Sequence, residues 1–242
     1  MNTIPYTKPS LHTCYYRKLT SNNDLPYYQR KAEEIQTVFE TPSILELACG
    51  EGRILETLLD SNAELSGLDN STHMLSNVKA NVAEKTKLYH ACMCEFSLPD
   101  QFHMIILGIR TLHMLTREEQ QKCIKNAAAH MLPSGTLHLH VVHIAKLDYA
   151  KLKPQPKRIV VPEGVLTRHT IRYKVTPARQ EVEALVAYEL TNNSGAKQRE
   201  LETIRFHWIT EDEMYKLAKD AGLSISNYHT IGPDRIYQLI RK

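Results

Sequence analysis

The chain has only 5 cysteines in 242 residues, at positions 14, 49, 92, 94 and 123. An odd number at irregular spacing argues against a disulfide framework. Cys92-Met93-Cys94 is too tight for a zinc knuckle and no second pair completes it, so no metal site is expected. No apolar run reaches the roughly 18 residues that a membrane-spanning helix needs, and no basic region followed by an apolar stretch opens the chain. Repeats and low-complexity tracts are absent too. Net charge is only +3, which carries no polyanion signature when averaged over the chain. These absences exclude collagen-like, solenoid, disordered and disulfide-scaffold classes. They leave an ordinary globular chain, expected to be soluble and cytoplasmic, and long enough for one elaborated α/β domain.

The average charge hides an asymmetry. Residues 146–179 hold nine Lys or Arg against Asp148 and Glu163, so +7 sits there and −4 on the rest. The pattern of elements explains where that stretch belongs. The first forty residues are polar and Tyr-rich, with one or two short helices expected. From Thr41 strands alternate with helices: strands at Ser43–Leu47, Glu64–Leu68, Lys87–Ala91, Phe102–Leu107 and Thr136–His143. Helices are expected over Arg53–Asp60, from Thr72 to about Ala83, and from the capping box Thr116-Arg-Glu-Glu119 to near Met131. Such alternation with short loops implies a mostly parallel sheet covered on both faces.

After Ala145 period-2 alternation takes over in Val165–Val175 and Val182–Leu190, with a turn at Asn192–Gly195 before Arg199–Ile209; this is an antiparallel insertion. A second capping box at Thr210-Glu-Asp-Glu213 starts a helix that stops at Gly222. Two final strands flank Gly232-Pro233. Glu181, Glu183 and Glu189 are expected opposite Arg168, Arg172 and Lys174, which leaves Lys151–Arg158 as a solvated loop or the one candidate contact for an acidic partner. The expected fold is therefore a Rossmann-like, mostly parallel seven-stranded sheet with helices on both faces, plus an antiparallel β insertion after strand five. The expected domains are an N-terminal helical lid at 1–40, a core formed by 41–145 with 210–242, and an insertion at 146–209 over the acceptor site.

The stretch Ile44-Leu-Glu-Leu-Ala-Cys-Gly-Glu-Gly-Arg53 is a strand running into a glycine-rich turn and a helix, which lets backbone approach a ligand closely. Asp69 lies 19 residues after Gly50, at the end of the next strand, where an acid accepts from ribose hydroxyls. The dinucleotide fingerprint would need a third glycine at position 55, and Leu55 is there. Instead an acid, Glu46, stands four residues before Gly50. Asp69 also suits a helix start at Ser71–Thr72.

These residues resemble the class I S-adenosylmethionine-dependent methyltransferases, in particular the small-molecule branch whose first motif reads E/D-x-A-C-G-x-G. The resemblance implies S-adenosyl-L-methionine as cofactor, held by Glu46, Ala48, Gly50, Gly52, Asp69, Asn70, Met74, Cys92, Met93 and Leu107. It places Glu46 toward the methionyl amino group, Asp69 on the ribose, and the Cys92-Met93 pair around adenine. Cys92 departs from the family's usual acid there. The implied reaction is in-line transfer of a methyl group to an N or O atom of a small-molecule acceptor, with Tyr16, Arg110, His113 and His143 as catalytic candidates at the strand edge. Tyr27 and Tyr28 read as lid packing. His138 and His140 share one face of strand five and His143 takes the other, so the three do not converge on a metal. The alternatives are an RNA methyltransferase using the basic insertion, a non-catalytic S-adenosylmethionine-binding partner, and, least favoured, a dinucleotide oxidoreductase. A homodimer is compatible with the sequence; nucleic acid and membrane are not the expected partners.

Overall fold

The structure, a computed structural model, describes Tyr6, residues 8–143 and residues 155–242. The chain divides into two compact units: residues 1–21 with 146–208, and residues 22–145 with 209–242. The first forty residues are thus not one piece; they part after Ser21.

The larger unit is built on seven strands: β1 (Ser43–Leu47), β2 (Glu64–Asp69), β3 (Thr86–His90), β4 (Phe102–Leu107), β5 (Met131–Val142), β10 (Leu223–Ile231) and β11 (Asp234–Arg241). Their order is β10-β11-β5-β4-β1-β2-β3. The five strands from β5 to β3 run parallel, and the terminal hairpin joins β5 antiparallel, Tyr237 opposite Leu139. This is the Rossmann-like sheet that the alternation of elements implies, with the order reversing between β1 and β4. The strands β1 and β4 read as continuous apolar runs because helices cover both of their faces, and Ile44, Leu45, Ile105 and Ile106 are wholly buried.

Helix α3 (Leu25–Gln36) packs on one side of the sheet and buries Tyr27, Tyr28 and Ala32 among Ile44, Ile54, Met104 and Ile106. Tyr27 and Tyr28 are therefore core residues of this unit, a correction to their reading as lid packing. Helix α7 (Arg117–Ala129) covers the other side through Cys123, Ile124, Ala127 and Ala128, beside α8 (Glu211–Asp220). Both start at capping boxes, at Thr116 with Glu119 and at Thr210 with Glu213.

Three boundaries differ from expectation, each for a local reason. The segment after β2 is two short helices, α5 (Thr72–Ser76) and α6 (Ala80–Ala83), split where Asn77 and Val78, both weak helix formers, precede an extended Lys79. Their apolar residues stay in helical register, so periodicity alone does not reveal the break. Strand β5 begins at Met131 and absorbs Pro133-Ser134-Gly135 as an irregularity between Phe102 and Met104 of β4. There a Cβ on Gly135 would sit 2.7 Å from the Phe102 carbonyl. Helix α4 is only Arg53–Thr57.

The second unit carries an antiparallel sheet in the order β6-β7-β8-β9: β6 (Lys157–Val161), β7 (Gly164–Thr176), β8 (Glu181–Asn192) and β9 (Lys197–His207). Lys157 and Arg158 begin a strand and are not loop residues; 151–154 lie outside the described residues. A bulge between Thr170 and Arg172 leaves Ile171 45% exposed, so the strict alternation expected for Val165–Val175 breaks there. The expected charge pairing is partly realised. Lys174 faces Glu183 in register, but the short contact to Glu183 comes from Arg205 at 2.8 Å, and Glu189 pairs with Arg199 at 3.1 Å. Arg168 donates to the Gln155 carbonyl and lies opposite Tyr188. Short helices α1 (Leu11–Cys14) and α2 (Tyr16–Leu19) contribute Leu11 and Leu19 to this unit's core with Val161, Leu166, Ala184 and Val186.

The missing third glycine of the first motif has a structural counterpart. A Cβ on Gly67 of β2 would lie 2.7 Å from Leu55 Cδ1 and 2.9 Å from Cys49 Sγ. The close approach of helix to strand is made by removing the side chain from the strand and keeping Leu55 on the helix. Gly67→Ala is therefore expected to cost about 1–3 kcal/mol through overpacking. Urea unfolding of the variant against wild type measures it, and an unchanged midpoint would show that α4 can shift freely.

Candidate functional site

The turn after β1 is where the backbone departs most from ordinary conformations. Ala48, Gly50 and Gly52 all have positive φ, at 52°, 55° and 70°. For Ala48 this is a left-handed conformation that side chains disfavour. The turn is tied from both sides: the Cys49 N–H donates to the Leu68 carbonyl at 3.0 Å, and the Gly50 N–H to Asp69 Oδ2 at 2.8 Å. A Cβ on Gly50 would press on Met74 Cε at 3.3 Å. Gly50, Asp69 and Met74 thus lie together, as the sequence pattern groups them.

Two acids end the first two strands. In the parallel register Glu46 sits opposite Gly67, two positions before the end of β2 at Asp69. Glu46 is buried, its Oε2 accepts from the Leu55 N–H at 3.2 Å, and burial pushes its carboxyl up to about 8 against the opposing pull of Arg53. Its Oε1 faces Gly108 at the end of β4, 4.0 Å from where a Cβ would be. Asp69 is also buried, and burial raises it despite N–H donors from Ser71, Gly50 and Asn70. The cap of α5 is Ser71, whose hydroxyl accepts from the Met74 N–H; Asp69 Oδ1 holds the Ser71 N–H at 2.8 Å. Of the other expected cofactor residues, Leu107 is in the core, Met93 packs against it, and Cys92 and Asn70 are exposed.

A second group, missed by sequence reasoning, adjoins this edge. Arg53, the first residue of α4, forms a two-pronged pair with Asp24 just before α3, both bonds 2.8 Å. Asp24 Oδ2 lies 3.7 Å from His140 Nδ1, and His140 Nε2 lies 3.3 Å from Asp234 Oδ2. Asp234 in turn receives Arg110 through Nε at 3.1 Å and Nη2 at 2.8 Å. Arg53, Asp24, His140, Asp234 and Arg110 form one alternating chain of charge. Burial opposes the ionised form of both aspartates, but the His140 ring beside them and the neighbouring arginine outweigh it and hold both carboxyls low. Against its own burial, the two aspartates raise His140. The sequence offered no signal for this group: Arg53 heads α4 with Glu56 three residues on, a spacing that reads as an ordinary pair within the helix.

Of the expected catalytic residues, Arg110, His113 and His143 lie in the larger unit and Tyr16 in the other. Arg110, at φ 54°, is committed to Asp234 and does not reach outward to an acceptor. His113 is buried, and its Nε2 accepts from the Val142 N–H at 2.9 Å, so that nitrogen holds the backbone and does not act as a base. His143 follows β5, its N–H on the Pro233 carbonyl at 2.9 Å. Tyr16 belongs to the other unit, edge-on to Tyr6 at 5.7 Å. His138 is core: Nδ1 meets the Tyr27 hydroxyl at 2.8 Å and Nε2 the Thr136 hydroxyl at 2.9 Å, and burial lowers it to about 3.

The model of the methyltransferase-domain family matches residues 44–135. The dTDP-3-amino-3,6-dideoxy-alpha-D-glucopyranose N,N-dimethyltransferase of Streptomyces fradiae is 28% identical over 116 residues, which cover 46% of this chain and 45% of that protein. The match thus spans a little under half of the curated relative. Among solved structures, the S-adenosylmethionine-bound amino pentose methyltransferase CalS10 of Micromonospora echinaspora superposes with a TM-score of 0.77 at 16% identity, covering 97% of this chain and 98% of that one. The sugar N-methyltransferase KedS8 of Streptoalloteichus gives 0.75 at 16%, over 97% and 94%. Likeness at this identity shows a shared fold across nearly the whole chain.

Asp24→Ala removes both short bonds to the buried Arg53 guanidinium and one of the two acids beside His140, and is expected to lose about 3–5 kcal/mol, measured by urea unfolding. The histidines give a pH signature. His138 binds its proton in the unfolded chain but not in the folded one between about pH 3 and 6.5, so stability falls as pH falls through that window, by about 1.4 kcal/mol per unit. Glu46, protonated in the folded chain up to about pH 8 but ionised above about 4.5 when unfolded, contributes the opposite slope above pH 4.5 and offsets that of His138, while His140 and the two aspartates keep their charges over most of the same window. His138→Asn should leave the Glu46 slope unopposed, so that between pH 6 and pH 4.5 the profile shifts by roughly one proton's worth toward greater stability at lower pH; an unchanged slope would show that His138 does not supply its share.

Proposed function

We propose, on the premise that residues 44–135 belong to the methyltransferase-domain family, that the protein transfers methyl groups from S-adenosyl-L-methionine to the nitrogen of a small-molecule amine. An amino sugar is the acceptor class, as the names of its relatives suggest. The observation that carries the cofactor assignment is the pair of buried acids, Glu46 and Asp69, around the positive-φ turn at 48–52.

The residues present fit that cofactor. Gly50 and Gly108 leave open the space that side chains would fill beside Met74 and Glu46. Asp69 spends one lone pair of each oxygen on a backbone N–H and keeps others to accept from two ribose hydroxyls. Glu46 lacks a pairing cation strong enough to hold it ionised, and an ammonium supplied by the ligand's methionyl end would do so. Ala48, Gly52, Asn70, Met74, Met93 and Leu107 complete the assignment around the same turn and strand ends. Cys92 replaces an acid and contributes no carboxylate to adenine.

When bound, the cofactor supplies an electrophilic methyl on a sulfonium whose departure leaves a neutral thioether. The protein's task is then alignment and exclusion of water more than covalent chemistry. An amine acceptor needs only its neutral form, which suits a site where His113 and Arg110 are tied into the framework. Five free cysteines agree with a cytoplasmic location.

Two measurements test the reading. Calorimetry should show S-adenosylmethionine binding, none of NAD, and an affinity about 10- to 100-fold weaker in Asp69→Ala. Glu46 near 8 is mostly protonated at neutral pH; pairing with an ammonium ionises it, so binding at pH 7 should release nearly one proton and tighten from pH 6 to pH 8. Titrations in buffers of different ionisation enthalpy count that proton, and Glu46→Gln should abolish it. Equal affinity for NAD would overturn the cofactor assignment.

A further inference from the structure

Three of the five cysteines meet at one place in the larger unit, and no step of the proposed reaction uses them. Cys92 and Cys94 lie in the turn after β3, closed by the Glu95 N–H on the Cys92 carbonyl at 3.0 Å. The Cys94 thiol reaches the Glu119 carbonyl of α7 at 3.5 Å. Glu119 is one helical turn before Cys123, and Cys94 packs against the cluster that buries Cys123. The Cys94 side chain thus neighbours both Cys123, one helical turn on from Glu119, and Cys92, two residues before it in the same turn.

We propose that Cys94 and Cys123 are an oxidisable thiol pair, which a peroxide converts to an intramolecular disulfide that pins the turn after β3 to helix α7. The roles divide by environment. Cys94 is half-buried, and the neighbouring Cys123 and Cys92 thiols outweigh burial and lower it, so it is the thiolate that meets peroxide. Cys123 is buried and held protonated, chiefly by the neighbouring Cys94 and then by burial, so it is the resolving thiol. In the first step the Cys94 thiolate displaces hydroxide from hydrogen peroxide and becomes a sulfenic acid. In the second, Cys123 sulfur attacks that sulfur, its proton leaves with the hydroxyl as water, and the S–S bond forms. Two thiols are oxidised by two electrons and one peroxide is reduced to two waters.

The turn so pinned carries Cys92 and Met93. Resting on the cofactor assignment above, which gives that turn to the adenine ring, the disulfide would lower affinity for S-adenosylmethionine. The site therefore makes cofactor binding sensitive to peroxide.

The test treats the whole reduced protein with a few equivalents of hydrogen peroxide. The expected result is a mass loss of about 2 Da, reversed by a dithiol, with peptide mapping linking Cys94 to Cys123. Cys94→Ser should prevent it, and Cys123→Ala should leave a sulfenic acid on Cys94 that dimedone traps. Calorimetry should then find S-adenosylmethionine bound about tenfold more weakly by the oxidised form. A bridge mapped between Cys92 and Cys94, or no loss of thiols, overturns the proposed pair. A Cys94–Cys123 bridge with unchanged affinity overturns the coupling to cofactor. If the reduced protein binds no S-adenosylmethionine, the cofactor assignment fails while the mapped disulfide still decides the thiol pair.

Discussion

The alternating chain of charge from Arg53 through Asp24, His140 and Asp234 to Arg110 is the constraint on which the larger unit's functional edge depends. Each member comes from a different element: the start of α4, the segment before α3, β5, the start of β11, and the segment after β4. Hydrophobic packing sets how far apart those elements lie but specifies little about their rotation or axial position. Buried ions do, because a carboxylate that slips from its guanidinium is left unpaired in a medium that charges it several kcal/mol. The two-pronged Arg53–Asp24 pair is the strongest link, since its two parallel bonds fix angle as well as distance.

What this lattice positions is strained backbone. Ala48 and Arg110, two of the three non-glycine residues with positive φ among the described residues, stand at the turns after β1 and β4 on either side of the point where strand order reverses. Open α/β sheets place ligands in such a crevice. Residues in left-handed conformation persist where their surroundings over-determine them. Arg110 is held by its side chain on Asp234 and by its own N–H on the His140 carbonyl at 2.9 Å. The segment after β4 is thereby shaped by a residue that the pattern of the sequence suggested as an acceptor contact.

The division between legible and hidden features follows from this. The parallel strands, both capping boxes, the glycine turn and Asp69 were readable because each is a local pattern: apolar runs, a cap with its acid three residues on, two glycines at fixed spacing. The strand β6 was hidden because its alternation spans only five residues and opens on two basic ones, Lys157 and Arg158. The partners of His113, Arg110 and Tyr27 were hidden for a different reason. A histidine at a strand edge looks the same in sequence whether its nitrogen faces a pocket or, as His113 does, a backbone N–H 29 residues away. Pairing between Asp24 and Arg53, or Arg110 and Asp234, leaves no trace in periodicity, since neither spacing lies within one element.

The buried acids sort themselves by partner, and this sorting separates framework from site. Asp24 and Asp234 are ionised in burial because the protein brings each an arginine and shares His140 between them. Glu46 and Asp69 are equally buried, yet both are pushed up, because the protein offers them mainly backbone N–H groups and, for Glu46, an Arg53 already claimed by Asp24. A fold that needed these two acids only for stability would do better with apolar residues of the same size, since an unpaired buried carboxyl is a cost. They become favourable when something enters that carries positive charge and hydroxyl donors. Among the described residues Arg53 is the cation that acts on Glu46, and Asp24 holds it; the ammonium of the proposed ligand would complete Glu46.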